Sequence, residues 1–224
     1  MKSKKKCFMR YFLHDLVWGI ACIFGYLWFR PQRLYINNQA KKKIKGGAML
    51  VSNHVGFYDP VYIMISLNYR RHHFLATKEL FSTKFKKFLF EKIFLCVSID
   101  REKADTVAIK KVVELLKDGE AVTMFPEGRI NTTDKDKVEM FKSGAILMAL
   151  KSGKPIIPIY IHKRKNIFKR LTIVVGEPLN ISLENTHLSV MDYIKEMTKE
   201  LYDKEVELEN YYSKKLKGEL KNGK

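Results

Sequence analysis

Short apolar runs alternate with helical patterns from residue 46 onward. Short apolar runs are typical of buried strands, and apolar residues that recur with a period near 3.6 are typical of helices. Their alternation predicts an α/β fold with a mixed, mostly parallel sheet flanked by helices. The predicted strands are 48–52, 72–77, 94–99, 121–125, 156–161 and 171–175.

The segments between these strands carry the helical patterns. One helix is predicted to start at Asp59-Pro60, where the aspartate would be the cap and the proline the first helical residue. Pro158 lies inside a predicted strand and lacks a backbone N–H, so we expect that strand to be irregular or to lie at a sheet edge. A closing helix is predicted from the shared face of Val190, Ile194, Met197 and Leu201.

An apolar stretch at 16–29 lies between two basic clusters. As a helix it would be about 21 Å long, shorter than the roughly 30 Å hydrocarbon core of a bilayer. It is followed by Arg30-Pro31 and has no small-residue cleavage site, so we expect the mature protein to retain it. We predict a membrane-associated helix on the cytoplasmic face of the cell membrane, and the alternative is a buried core helix.

The charge of the chain supports an anionic partner. The formal net charge is +18, and residues 1–45 contribute ten of these charges through eleven basic residues and one acid. We therefore divide the chain into a basic anchoring segment (1–45), one α/β domain (46–212) and a basic tail (213–224). An anionic membrane surface is the expected partner, and nucleic acid is not, because no recognisable nucleic-acid-binding motif accompanies the charge.

Three residues whose side chains can take part in catalysis follow the first predicted core strand: Asn53, His54 and Asp59. A histidine can take a proton from a hydroxyl, and a nearby carboxylate can hold its tautomer. The alternative is that Asp59 only caps the following helix and that His54 only completes a turn.

These residues also belong to a series of motifs. Residues 53–59 read NHVGFYD and resemble NHxxxxD, the first signature of the glycerolipid acyltransferase family, which includes 1-acylglycerol-3-phosphate acyltransferases. Further blocks follow in the family's order over about residues 45–161: KELF (78–81), SIDR (98–101), FPEG (125–128), FKSGA (141–145) and IPI (157–159). Each block is short, but their joint order is specific.

The resemblance implies transfer of a fatty acyl group from a thioester to the free hydroxyl of 1-acylglycerol 3-phosphate, which yields phosphatidic acid in phospholipid biosynthesis. The donor would be acyl-coenzyme A or acyl carrier protein, and the motifs do not choose between them. His54 would be the general base and Asp59 its partner, so no metal or other cofactor is expected. Another lysophospholipid or glycerol 3-phosphate as acceptor is an alternative, and so is a non-catalytic protein that binds anionic lipid.

The same resemblance implies a set of substrate-binding residues, namely Asn53, Lys78, Arg101, Glu127, Gly128 and Arg129. Arginine suits phosphate geometry, and we expect the loops that carry Arg101 and Glu127 to open on one edge of the sheet. The alternative is that these two side chains form an ion pair there. Arg129 stands one place earlier than the family's arginine after FPEG.

Aromatic and basic residues also alternate in the segment 81–92. Phe81, Phe85 and Phe88 recur at helical spacing between lysines, a pattern typical of a basic amphipathic helix on an anionic membrane. We expect this helix to border the entrance for the acyl chain, and the alternative is an ordinary helix packed on the sheet.

Overall fold

The computed structural model describes residues 2–100, 105–128, 130, 141–162, 170–184 and 186–218, with only the backbone for residues 2–10. The strands of the described residues are β1 (Gln32–Tyr35), β2 (Ala48–Ser52), β3 (His72–Thr77), β4 (Cys96–Ile99), β5 (Ala121–Met124), β6 (Ile156–His162) and β7 (Thr172–Val175). They form one seven-stranded sheet in the order β1-β7-β6-β2-β5-β3-β4. All neighbouring strands are parallel except β6 and β7, so the predicted mixed, mostly parallel sheet is confirmed.

Helices cover both faces of this sheet. A 3-10 turn (Lys78–Phe81) follows β3, and a π-helical turn (Leu89–Ile93) precedes β4. The α-helices of the described residues are α1 (Lys2–Phe29), α2 (Asp59–Ser66), α3 (Lys84–Phe88), α4 (Thr106–Lys117), α5 (Gly144–Ser152) and α6 (Val190–Leu216).

The core consists of apolar clusters on opposite faces of the sheet. In β2, Ala48 and Leu50 pack with the α2 residue Ile63, whereas Met49 and Val51 pack in the cluster that includes α4, α5 and α6. Side chains of successive strand residues point to opposite faces, and both faces here are covered by helices. The strand is therefore buried along its whole length, which explains its continuous apolar run.

The carboxyl ends of β2, β3, β4 and β5 meet at one edge of the sheet because these strands are parallel. His54 follows β2, Lys78 follows β3, Asp100 follows β4 and Glu127 follows β5. In open parallel sheets, ligands bind at this edge.

The folded domain extends into both segments that we separated from it, through a strand at one end and a helix at the other. Residues 32–35, which we placed in the anchoring segment, form β1 and pair with β7. At the other end, α6 continues to Leu216 and so includes the first residues of the predicted tail. Residues 219–224 lie outside the described part of the chain.

Of the two alternatives expected for the strand that contains Pro158, irregular or at an edge, the edge position is wrong, because β6 lies between β2 and β7 inside the sheet. The carbonyl oxygen of Pro158 accepts a hydrogen bond from the N–H of Gly176, just beyond the last paired residue of β7. In a strand, the N–H and C=O of one residue point to the same side. The missing N–H of Pro158 therefore faces the end of β7, where the pairing of β6 with β7 stops. The parallel pairing of β6 with β2, on the other side, is not interrupted.

The N-terminal helix α1 lies on the surface of the domain. The alternative of a buried core helix is wrong, since only 6% of its apolar window is buried and side chains such as Phe24 and Leu27 are exposed. By length and composition the part Tyr11–Phe29 is able to cross a membrane. Its first part is fixed to the domain, because Asp15 pairs with Arg71 at 2.6 Å and the buried His14 donates to the carbonyl of Ile93.

Candidate active site

His54 and Asp59 form a hydrogen-bonded pair at the end of β2. The Nδ1 atom of His54 lies 2.7 Å from Oδ2 of Asp59. Asp59 is fully buried, whereas 14% of the His54 side chain is exposed. An ionised carboxylate only accepts hydrogen bonds, so it fixes the imidazole tautomer that carries its proton on Nδ1. The other ring nitrogen, Nε2, is then left as the base.

The loop between the two residues is folded around the same carboxylate. Oδ2 of Asp59 also accepts hydrogen bonds from the backbone N–H groups of Val55 and Gly56, at 2.7 and 2.8 Å. Asp59 is the first residue of α2, where the helix dipole favours a negative charge, and Pro60 fits the first turn because it lacks an N–H. The spacing of five residues therefore brings the acid to the histidine by local structure alone.

The interpretation of Asp59 as only a helix cap is wrong. The residue in the cap position of α2 is Tyr58, which makes no side-chain capping hydrogen bond. Within the described residues, the hydrogen bonds of the Asp59 side chain come from His54 and the loop before the helix. The carboxylate thus serves the histidine and its loop.

The ring of His54 is also held by an aromatic neighbour. Phe125 stacks on it with ring centroids 4.3 Å apart and an angle of 18° between the planes. Phe125 directly follows β5, so two parallel strands determine the position of the imidazole. Stacking on one face and a hydrogen bond at Nδ1 leave the ring little rotational freedom.

Asn53 was predicted to bind substrate, but its amide is used inside the protein. Its Nδ2 donates to the carbonyl of Ile161 at 3.0 Å, and its Oδ1 accepts from the N–H of the same residue at 2.7 Å. Only 2% of Asn53 is exposed. The side chain therefore ties the end of β2 to β6 and places the next residue, His54.

Glu127 connects the loop after β5 to His54. Its Oε1 accepts a hydrogen bond from the backbone N–H of His54 at 3.3 Å, and the residue is only 6% exposed. Gly128 adopts a φ of 76°, which favours glycine and turns the chain beside the site. Both residues lie at the predicted place, and Glu127 acts on the loop that carries His54.

Of the three predicted cations, Lys78 lies within the described residues. Lys78 forms an ion pair with Asp100 at 2.8 Å, which links the loops after β3 and β4, and about half of its side chain is exposed. Arg101 and Arg129 lie outside the described residues, as does the alternative ion pair between Arg101 and Glu127.

A cavity of about 240 Å³ opens beside Phe125 and Gly128. Lys142 lies at its wall, with Nζ 3.2 Å from the position that a Cβ atom of residue 128 would take. Sequence reasoning did not assign this lysine, although it stands in the FKSGA block. The cavity is mostly apolar and is also lined by Leu75, Ile99, Ile109, Met124 and Met148.

The predicted basic helix exists but is shorter than expected. Helix α3 covers only Lys84–Phe88 and continues as the π-helical turn. None of its residues is buried, and Phe85 is 73% exposed, so the alternative that this helix packs on the sheet is wrong.

Comparison with known proteins decides the family. The model of the acyltransferase family matches residues 33–162, which is more than half of the chain. The chain belongs to the acyltransferase family. The matched range begins in β1 and ends with β6, and it contains all the candidate residues described above.

Curated relatives and a solved structure agree with this assignment. The chain is 28% identical over 180 residues to the 1-acyl-sn-glycerol-3-phosphate acyltransferase of Bacillus subtilis, covering 78% of this chain and 87% of the relative. It is 26% identical over 195 residues to the enzyme of the same name from Borreliella burgdorferi, covering 86% and 72%. The crystal structure of the acyltransferase PlsC from Thermotoga maritima has the same fold, with a TM-score of 0.62, 18% identity and coverage of 89% and 81%.

Proposed function

We propose that this acyltransferase moves a fatty acyl group from a thioester to the free hydroxyl of 1-acylglycerol 3-phosphate, which gives phosphatidic acid. The observation that carries the proposal is the pair of His54 and Asp59 at the carboxyl edge of the sheet, with its hydrogen bond of 2.7 Å. The names of the curated relatives supply the acceptor, and they favour it over glycerol 3-phosphate or another lysophospholipid.

The reaction needs a base because an alcohol is a poor nucleophile at neutral pH. Nε2 of His54 takes the hydroxyl proton while the oxygen attacks the thioester carbonyl carbon. The tetrahedral intermediate then breaks its C–S bond, and the proton held by His54 passes to the leaving sulfur. Asp59 stabilises the imidazolium between these steps.

This route involves no covalent enzyme intermediate. Cys96 is buried in β4, and burial raises the pKa of its thiol to about 12, so the thiolate nucleophile is not available near neutral pH. An activated thioester already supplies the driving force, which is consistent with the expectation that no metal or other cofactor takes part.

Two features suit the substrates. The cavity beside Phe125 is mostly apolar and begins next to the ring that stacks on His54, so it fits an acyl chain. Lys142 at its wall provides a positive charge for the phosphate of the acceptor. Acyl-coenzyme A and acyl carrier protein are both anionic, so the basic chain suits either donor.

We further propose that the protein works on the cytoplasmic face of an anionic membrane. The exposed apolar side chains of α1 and the ten net positive charges of residues 1–45 support this location. The exposed Phe85 and the lysines of α3 support a second contact with the same surface.

The test compares acyl transfer by the wild type, His54→Ala and a control, His187→Ala, which changes an exposed histidine in the loop before α6. Purified protein is incubated with vesicles that contain 1-acylglycerol 3-phosphate, and labelled acyl-coenzyme A and acyl carrier protein are supplied in separate reactions. We expect His54→Ala to lower kcat by roughly 10²–10⁴-fold, the usual contribution of a general base. The control should keep wild-type activity.

Vesicle binding is measured on the same three proteins. Loss of transfer with retained binding supports catalysis by His54. Absence of transfer by the wild type with either donor, together with tight binding to vesicles, would instead favour a non-catalytic protein that binds anionic lipid.

A further inference from the structure

Two aromatic side chains lie on the surface of the loop that joins the catalytic pair. Phe57 and Tyr58 stand between His54 and Asp59, and more than half of each of these two aromatic residues is exposed. Surface loops of this length are usually rich in small and polar residues. Exposed apolar side chains that lie together beside a site indicate an interaction surface.

Exposed aromatic residues are restricted to three segments of the described chain. Among the residues whose side chains are described, four lie in α1, two are Phe57 and Tyr58, and two lie in α3. The helix α1 is the one that is long and apolar enough to cross a membrane. The aromatic side chains of the catalytic loop therefore share their exposure with the segments that we placed against lipid.

A series of ring contacts joins the loop to the end of α1. The rings of Phe57 and Tyr58 pack edge to face with centroids 5.5 Å apart, and Tyr58 lies 6.5 Å from Tyr62 of α2. Tyr62 in turn packs edge to face with Phe29, the last residue of α1, at 5.3 Å. Aromatic rings thus connect the apolar helix to the loop that carries His54.

The pairing of the strands places the end of α1 at the edge of the sheet where the active site lies. The first residue of β1 pairs with Thr172, and Thr172 pairs with His162, the last residue of β6. Because β6 is parallel to β2, its last residue lies at the edge where His54 follows β2. The carbonyl oxygen of Phe29 accepts a hydrogen bond of 3.0 Å from the N–H of Leu171, which fixes the end of α1 there.

We propose that Phe57 and Tyr58 insert into an anionic lipid leaflet together with the end of α1, so that the acceptor reaches His54 from within the leaflet. The phenol of Tyr58 suits the headgroup level, where one end of a side chain is apolar and the other is wet. The net positive charge of residues 1–45 favours an anionic leaflet over a neutral one.

The inference rests on the proposed function, because the acceptor of that reaction is an amphipathic lipid. Complete removal of this lipid from the leaflet would expose its acyl chain to water, at a cost that grows with every methylene group. With the loop in the leaflet, the free hydroxyl meets the base while the acyl chain stays in lipid. The surface of the loop therefore acts on lipid-embedded acceptor and not on dissolved acceptor.

The experiment compares the wild type, the double variant Phe57→Gln with Tyr58→Gln, and a control, Leu183→Gln with Leu188→Gln, which alters two exposed leucines between β7 and α6. Each protein receives 1-palmitoylglycerol 3-phosphate in phosphatidylglycerol vesicles or 1-hexanoylglycerol 3-phosphate dissolved as monomers, with the thioester donor that the wild type uses. The measured quantity is the ratio of kcat/KM for the embedded acceptor to kcat/KM for the dissolved one.

We expect this ratio to fall at least about tenfold in the aromatic double variant, a factor that corresponds to one apolar side chain withdrawn from lipid. The control should keep the wild-type ratio. A purely structural effect on the loop would lower both activities and leave the ratio unchanged.

A second readout needs no catalytic activity. Phe57→Trp adds a tryptophan in the loop to the two of the wild type, and Leu183→Trp adds one at the control position. Lipids brominated on their acyl chains quench tryptophans that enter the hydrocarbon region. We expect the added fluorescence, obtained by difference from the wild type, to be quenched at residue 57 and unchanged at residue 183.

An unchanged activity ratio in the aromatic double variant, or a tryptophan at residue 57 that brominated lipid does not quench, would overturn the proposal. A wild-type dimer in sedimentation that the same variant separates into monomers would also overturn it, because a second copy would then cover the loop. A wild type that acylates neither acceptor removes the proposed function, and quenching at residue 57 then decides alone whether the loop enters lipid.

Discussion

At the scale of single residues, the carboxylate of Asp59 connects the proposed catalysis with local folding. One oxygen atom accepts hydrogen bonds from the ring of His54 and from the backbone N–H groups of Val55 and Gly56. Hydrogen bonds to a charged acceptor are stronger than those between neutral groups. The charge that orients the base is therefore also the charge that closes the loop around it.

Replacing Asp59 by asparagine is predicted to harm both properties. An amide oxygen is a weaker acceptor, and the amide nitrogen offers the imidazole a donor instead, which favours the wrong tautomer. We expect kcat to fall by roughly 10²–10⁴-fold, as for other histidine bases that lose their carboxylate. The free energy of unfolding should fall by about 1–3 kcal/mol.

Steady-state kinetics and thermal unfolding check this prediction, with Asp203→Asn as the control. Asp203 is an exposed aspartate in the interior of α6, so its replacement should change neither quantity appreciably. A fully active Asp59→Asn protein would contradict the role assigned to the pair.

The sequence predicts these residues to different degrees. His54 and Asp59 are five positions apart, and their contact follows from a short loop and a helix start, both of which are local. Asn53 binds a residue 108 positions away, and Lys78 binds one 22 positions away. Such partners depend on the order of strands in the sheet, which a single sequence does not determine, so these two contacts could not be predicted.

At the scale of elements, the close approach of β2 to α4 requires a glycine. A Cβ atom on Gly47 would lie 1.8 Å from the carbonyl oxygen of Leu116, in the last turn of α4. The neighbouring Gly46 has a φ of 75° but open space around it. Gly47 is therefore required because a side chain would clash, whereas Gly46 is favoured because of its left-handed backbone conformation.

This difference predicts unequal effects of the same substitution. Gly47→Ala should destabilise the fold by roughly 3 kcal/mol or more, because neither backbone can move without disturbing β2 or α4. Gly46→Ala should cost only about 1–2 kcal/mol, the price of a left-handed backbone for a residue with a Cβ atom. Urea unfolding of both variants measures the two values, and equal losses would show that the clash at residue 47 is relieved by movement.

Strands were missed or misplaced where the apolar pattern of the sequence and the strand pairing in the sheet disagree. The strand β1 has the sequence QRLY and only one buried residue, so its apolar pattern is too weak to predict a strand, and its pairing with β7 decides its structure. For Pro158 the sequence pattern was misleading, because a residue without a backbone N–H suggested a strand at the sheet edge. In the structure this residue lies inside the sheet, at the point where the pairing with β7 ends. Strands with continuous apolar sequence, such as β2, were predicted correctly because both of their faces are buried.

At the scale of the whole molecule, the N-terminal segment carries both a large positive charge and an exposed apolar surface. Residues 1–45 hold ten of the eighteen net charges, and the part of α1 whose side chains are described, residues 11–29, exposes most of its apolar side chains. The docking of its first part through Asp15 and His14 fixes this surface relative to the domain that carries the active site. A protein seated on a membrane by this surface would meet its lipid acceptor in a defined orientation.

Charged substitutions on α1 test this arrangement. Phe24 and Leu27 are 69% and 71% exposed, so Phe24→Glu with Leu27→Glu should leave the unfolding temperature unchanged. Each apolar side chain withdrawn from a membrane forfeits about 1.5–3 kcal/mol, and we therefore expect binding to phosphatidylglycerol vesicles to weaken at least about tenfold in sedimentation assays. The control is Val107→Glu with Met191→Glu, which alters side chains that are 77% and 74% exposed on α4 and α6. Equal binding by both double variants would contradict α1 as the membrane-binding surface, because the effect would then follow from charge alone.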